Sequence, residues 1–197
     1  MKNAFVGNSH LQDIERKRAL LLSSLELESS EASEGVDVAL AENTEHIAAW
    51  KSFVLSPREL PLRRLVEFGV PDSLRGAVWR ITSGSSSFLQ DAKSFEDLVR
   101  QSKYGLDQEA KYAIEKDITR TFPRHIFFET RIGQDQLFEV LSAYATCDPD
   151  VGYCQGMGFI AAFLLCYLPK DDAFYTLRSL MMNPKYDLRS MLLPGSR

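Results

Sequence analysis

The run Met157 to Leu168, MGFIAAFLLCYL, limits the fold more than any other stretch. It lies between Gly156 and Pro169 and carries no charge. From Phe159 onward it is apolar nearly all round, which is the pattern of a helix central in a core. At twelve residues it is too short to span a membrane. Neighbouring segments must therefore cover it. Gln134 to Thr146 is the clearest of these, an amphipathic helix after Gly133 with Leu137, Val140, Leu141 and Tyr144 on its core stripe.

The remaining elements also read as helices. Thr44 caps one that carries Ile47, Trp50 and Val54, and Leu62, Leu65 and Val66 share a face in the next. Gly69-Val70-Pro71 is a turn. Asp72 or Ser73 caps Leu74 to Thr82, with Leu74, Val78 and Ile81 inward and Gly84 as the stop. Arg75 and Trp79 stand at i, i+4 there, a spacing that lets the guanidinium lie along the indole. Ser94 caps Phe95 to Lys103, and Gly105 ends that helix. Asp171 or Asp172 caps a helix through Met182, stopped by Asn183-Pro184, and Tyr186 to Leu193 begins another. No alternating strand, hairpin signal or βαβ pattern appears, so the expected class is all-α.

The chain has 197 residues, 45% of them hydrophobic, enough for one domain with a sizeable core. Its net charge of −4 argues against nucleic acid as a partner. Residues 1–60 hold six Lys/Arg and ten Asp/Glu, whereas residues 61–197 hold seventeen of each. All the excess acid thus lies at the start. Residues 1–41, rich in Ser and Glu after Leu27, read as an acidic, flexible leader, with a short helix conceivable over Ile14 to Leu27. The N-terminus lacks the apolar stretch of a signal peptide. Cys147, Cys154 and Cys166 are an odd number without metal-ligand spacing, which fits reduced thiols in a cytoplasmic protein.

Two stretches carry chemistry. In Asp107 to Phe128, Asp107 caps a helix expected over Gln108 to Thr121, with Ala110, Ile114 and Ile118 as its buried stripe and Pro123 as its stop. Arg120 then sits in the last turn, three residues after Asp117, a carboxylate able to brace and aim it. Such a pair is also common as a solvated surface contact worth a few tenths of a kcal/mol. Five Lys/Arg against three acids make Lys111 to Arg131 locally basic, suited to a triphosphate. In Val151 to Leu168, three glycines surround Tyr153, Cys154 and Gln155, and a tight turn would point the Gln155 amide outward. Read alone, this is a Gly-rich turn ahead of a core helix. Cys154 with His125 as base would make a thiol nucleophile, but nothing in the sequence places the two together.

Taken together, these stretches resemble the TBC domain, the GTPase-activating domain for Rab-family small GTPases. Arg75-Gly76-Ala77-Val78-Trp79 matches its R-G-x-x-W signature. Ile114, Asp117, Arg120 and Thr121 match I-x-x-D-x-x-R-T, and Phe122, Pro123 and His125 fit the usual continuation. Tyr153-Cys154-Gln155-Gly156-Met157 matches Y-C-Q-G-M. The similarity covers roughly Leu62 to Gly195. It implies a multi-helix TBC-type fold, with residues 42–197 as the N-terminal portion of the domain and a C-terminal helical subdomain missing. Met181, Leu188, Met191 and Leu192 would then lose a partner surface. Gly158 departs from the polar residue common at that place, which implies a looser helix start beside Gln155.

The resemblance implies two residues supplied in trans to a GTP-loaded Rab. Arg120 is the arginine finger and Gln155 the glutamine finger, with Asp117, Tyr153, Thr121 and Gly156 supporting them. Arg75 and Trp79 form a structural motif that helps seat the finger helix. No metal or cofactor of its own is implied, because Mg and GTP are carried by the partner. The chain itself lacks a G-x-x-x-x-G-K-[ST] loop. The setting is vesicle trafficking and intracellular protein transport, from the cytoplasm or peripherally on endomembranes, with membrane contact only through the Rab. The alternative is a non-catalytic helical module that binds a Rab or a scaffold.

Overall fold

The computed structural model describes residues 38–57, 62–90 and 93–193. Residues 1–37 of the expected flexible leader, with the short helix over Ile14 to Leu27, lie outside them, whereas its last four residues, 38–41, are helical. The chain divides into two units, Met1–Ala49 and Trp50–Arg197. Little of the first is described beyond the opening of helix α1 (Val38–Leu55). Thr44 lies inside α1 rather than at its cap, because no breaker interrupts VALAENTEHIAAW.

The second unit is wholly helical among the described residues. After α1 come α2 (Leu62–Glu67), a 3-10 turn (Asp72–Leu74), α3 (Arg75–Ser83) and a second 3-10 segment (Ser85–Gln90). Then follow α4 (Phe95–Gly105), α5 (Gln108–Ile118), α6 (Ile126–Glu129), α7 (Arg131–Cys147), α8 (Met157–Leu165), α9 (Lys170–Met182) and α10 (Leu188–Leu192). The expected all-α class is what the structure has.

Helix α7 is the axle. Leu137, Val140, Leu141, Ala143 and Tyr144 are all fully buried, and α4, α5, α6, α8 and α9 pack around it. Its start differs from expectation. The cap is Thr130, whose side chain accepts from the Gly133 N–H, so Gly133 lies within the first turn. Helix α8, expected to be central, is a flank. Ala161, Ala162, Leu164 and Leu165 face inward, while Phe159 and Phe163 stay 45% and 48% exposed. Small residues on the core side let α8 approach α7 closely, and the bulky rings have room only on the outer side. At the other end of α9, Met181 is fully buried, and Leu188 and Leu192 of α10 rest against the core. Of the four residues expected to lose their partners, Met191 is the exposed one, at 70%.

The caps follow side-chain chemistry in part. Ser94 and Asp97 form a reciprocal capping box at α4. Gly84, in the left-handed region, closes α3. No side chain caps α3 or α9. Asp72 pairs with Arg75, and Asp172 with Arg80 across the α3–α9 contact at 3.0 Å. These carboxylates face a cation and leave the helix termini uncapped.

Arg75 and Trp79 both reach the C-terminal side of α8 and converge on Tyr167. The Arg75 side chain donates to the Val70 carbonyl (3.1 Å) and the Tyr167 hydroxyl (2.8 Å), and its guanidinium lies over the Tyr167 ring at 5.4 Å. The Trp79 ring packs against Phe163 and Tyr167, with centroids 5.1 and 5.0 Å away. Arg75 opens its helix, so its side chain turns back toward the preceding loop, where the Val70 carbonyl and Tyr167 take its donors. Gly76 makes this packing possible, since a Cβ there would collide with the Tyr167 carbonyl oxygen. Gly76→Ala is expected to lower unfolding free energy by about 1–3 kcal/mol in urea titration. Gly105→Ala, with no heavy atom within 4 Å of the new methyl, should be neutral or mildly stabilising.

Candidate functional site

The site is built where the end of α5 meets the loop before α8. Asp107 begins α5 by accepting from the Ala110 N–H at 3.0 Å, and Ile114 anchors the helix as a fully buried residue. The helix stops at Ile118, three residues before the expected Thr121. Pro123 disfavours helical backbone at the residue before it. Phe122 instead takes a φ of +45°, a strained value for a non-glycine residue. Its ring packs against Phe159 and Phe128, which holds it there. The chain tightens ahead of this kink. Arg120 N–H donates to the Asp117 carbonyl at 3.1 Å and Thr121 N–H to Ile118 at 3.2 Å. The buried Thr121 hydroxyl also donates to the Asp117 carbonyl, at 2.7 Å. Arg120 therefore stands just past the helix, on a tight turn, rather than in its last turn.

Asp117 is the hub. One carboxylate oxygen pairs with the Arg120 guanidinium, and the other accepts from the Tyr153 hydroxyl at 2.6 Å. The Asp117 side chain is 7% exposed and that of Arg120 45%. A buried carboxylate is stable only with its oxygens satisfied, and this one has a cation on one side and a hydroxyl on the other. Burial, reinforced by the hydrogen bond to Asp117 and its charge, pushes the Tyr153 phenol well above its usual range, so it stays a donor. The two motifs, 36 residues apart, thus meet through one bond.

Gly158 lies against this junction. A Cβ there would sit 3.2 Å from the Thr121 hydroxyl and 3.3 Å from the Tyr153 hydroxyl, tighter than ordinary packing. The departure from a polar residue at this position accompanies a close seam, not a loose helix start. Gly156 takes a φ of +104° as the residue opening α8, and Gln155 before it is exposed. Among the described residues no hydrogen bond holds the Gln155 amide. The site thus presents a braced guanidinium and an open carboxamide, joined through Asp117 and Tyr153.

His125 lies elsewhere. Its Nδ1 accepts from the Phe127 N–H, and its Nε2 is 3.7 Å from the sulfur of Cys166. Burial pushes the Cys166 thiol up, which suppresses the nucleophilic thiolate. Both border a cleft of about 660 Å³ together with Phe122, Arg124 and Phe163. Among the described residues no cluster of His, Cys, Asp or Glu could hold a metal ion. None of their helices is long and apolar enough to cross a membrane.

Sequence reasoning missed Asp148 and Arg189. Asp148, 3% exposed, opens the turn leading to Tyr153. It accepts from the Tyr144 hydroxyl at 3.0 Å and from Arg189 at 2.8 and 2.9 Å. Burial alone would raise its carboxyl, but the hydrogen bonds from Arg189 and Tyr144 and the guanidinium charge hold it below the usual range. Its pairing therefore stabilises the fold above the unfolded carboxylate value of about 4 and is lost as pH falls through the lower folded value. Asp148→Asn should cost about 1.5–3 kcal/mol at neutral pH. In denaturant titrations the gap between parent and variant should hold from pH 8 to about 5 and narrow below about 4.

Comparison with known proteins gives a consistent result. The family model for the Rab-GTPase-TBC domain matches residues 72–197. The chain is 36% identical over 160 residues to Rab GTPase-activating protein tbc-11 of Caenorhabditis elegans, covering 77% of this chain and 17% of that protein. It is 33% identical over 145 residues to the Homo sapiens ecotropic viral integration site 5 protein homolog, covering 72% of this chain and 17% of the relative. It is 38% identical over 135 residues to Rab GTPase-activating protein eat-17 of Caenorhabditis elegans, covering 68% and 14%. The chain thus spans under a fifth of the length of these relatives. Among solved structures, the Chlamydomonas flagellar RabGAP TBC domain superposes with a TM-score of 0.54 at 25% identity, covering 87% of this chain and 51% of that one. On these matches, together with the three ordered motifs, the chain belongs to the Rab-GTPase-TBC domain family.

Proposed function

We propose that this chain accelerates GTP hydrolysis by a Rab-family GTPase in its GTP-bound state. Arg120 and Gln155 enter the partner's site as an arginine and a glutamine finger. The observation that carries this reading is the bond from Tyr153 to Asp117, which ties the Arg120 brace to the residue two before Gln155. Because that carboxylate is buried and satisfied from both sides, the half-exposed guanidinium it pairs with is held to one direction.

In phosphoryl transfer, charge spreads over the γ-phosphoryl oxygens and the leaving oxygen of the GTP that the partner holds. The Arg120 guanidinium offers several donors in a fixed fork to neutralise it. Asp117 fixes the direction of that fork while leaving part of it exposed. The Gln155 amide can both donate to and accept from one water, so it can orient the attacking nucleophile. The chain brings no nucleotide or metal of its own to this scheme. The names of the relatives tbc-11 and eat-17, both Rab GTPase-activating proteins, support this reading.

The test is single-turnover GTP hydrolysis across a panel of GTP-loaded Rab proteins. With a responsive Rab, Arg120→Ala should remove most of an acceleration of about 10³–10⁵-fold. Gln155→Ala should also slow turnover, without loss of Rab binding. Acceleration that survives both substitutions would refute the finger mechanism. Rab binding with no acceleration by the parent chain would favour a binding module instead.

A further inference from the structure

The loop that carries Gln155 is held from a distance. Arg189, in α10, donates through Nε and Nη2 to the two carboxylate oxygens of Asp148, and Nη2 also donates to Asp150 at 2.9 Å. Both acids lie in the turn between α7 and Tyr153. Asp148 is buried and Asp150 exposed, so one guanidinium grips the inner and the outer side of the turn. The Asp148 carbonyl in turn accepts from the Gly152 N–H at 2.8 Å, closing the turn one residue before Tyr153. Arg189 is itself fixed. Leu188 and Leu192 rest on the core, and the Tyr186 hydroxyl donates to the Thr82 carbonyl at 2.7 Å.

We propose that Arg189 is the positioning residue for Gln155. It acts through Asp148 and Asp150 to set the turn from which the Tyr153–Gln155 segment departs. This rests on the reading of Gln155 as a finger. The segment is then fixed at two points, by Arg189 behind the turn and by the Tyr153–Asp117 bond ahead of it, and only Gln155 is left open to a partner. An arginine is needed because the contact is bidentate to one carboxylate and reaches a second, and a lysine ammonium cannot reproduce that fork. The ion pair is therefore more than a brace for α10. Removing it should loosen the turn and misplace the Gln155 amide while the rest of the fold stays closed.

The experiment compares Arg189→Ala, Arg189→Lys and Arg80→Ala in the 197-residue chain. Arg80 supplies the control, a similarly sheltered ion pair to Asp172 that joins α3 to α9. The readouts are amide hydrogen exchange over residues 149–156 and single-turnover hydrolysis at saturating Rab, with the Rab dissociation constant measured separately. Arg189→Ala should speed exchange in that segment and slow saturating turnover about 10–100-fold, the cost of a small misplacement of a reacting group. Rab affinity should change by less than about twofold, Arg189→Lys should recover only part of the rate, and Arg189→Ala should add nothing to Gln155→Ala. Unchanged exchange at 149–156, or a turnover no slower than that of Arg80→Ala, overturns the proposal. If Gln155→Ala retains full activity, the finger reading fails, and exchange alone then decides whether Arg189 sets the turn.

Discussion

The hydrogen bond from the Tyr153 hydroxyl to Asp117, at 2.6 Å, is the contact on which the site depends. Asp117 is a nearly buried carboxylate, and burying a charge is costly unless it is paired. Arg120 supplies the cation and Tyr153 the second donor. Each partner would be worth less alone. Without Tyr153, one oxygen of Asp117 loses its donor. Without Asp117, Arg120 loses its direction. Gly158 packs against this junction, with the Thr121 and Tyr153 hydroxyls 3.2 and 3.3 Å from where its Cβ would stand.

The rest of the fold serves this junction. Helix α7 is the packed axle against which α5 and α8 both lie, so their facing ends are held relative to each other by core contacts rather than by the loops. The kink at Phe122 ends the arginine segment abruptly and wedges its ring against Phe159 of α8. The first motif works further off. Arg75 and Trp79 clasp Tyr167 and Phe163 at the far side of α8, which fixes the helix whose opening residue follows Gln155. The three motifs thus hold one element, α8, from its start, its side and its end.

Much of this was legible in the sequence, for local reasons. Caps such as Ser94 and Asp107, the stop at Gly84 and the stripe of Leu137, Val140, Leu141 and Tyr144 depend on residues three or four apart. The errors come where tertiary packing overrides local preference. The helix at α5 ends early because the strained Phe122 is held by rings from elsewhere. Helix α8 looks central by composition but exposes Phe159 and Phe163, since its alanines face the core. Arg75 is at the right spacing for Trp79 yet turns to Tyr167, 92 residues away. Asp148 and Arg189, 41 residues apart, left no periodic signal at all.

Tyr153 and Asp117, bonded at 2.6 Å, join the arginine and glutamine segments. A double-mutant cycle of Tyr153→Phe and Asp117→Asn, read in single-turnover GTP hydrolysis with a responsive Rab, tests it most directly. Strong non-additivity is expected if they act as one unit, with either substitution costing nearly as much as both and a coupling of about 1–3 kcal/mol. Additive losses would mean that the two residues contribute independently and that the bond between them does not join the segments.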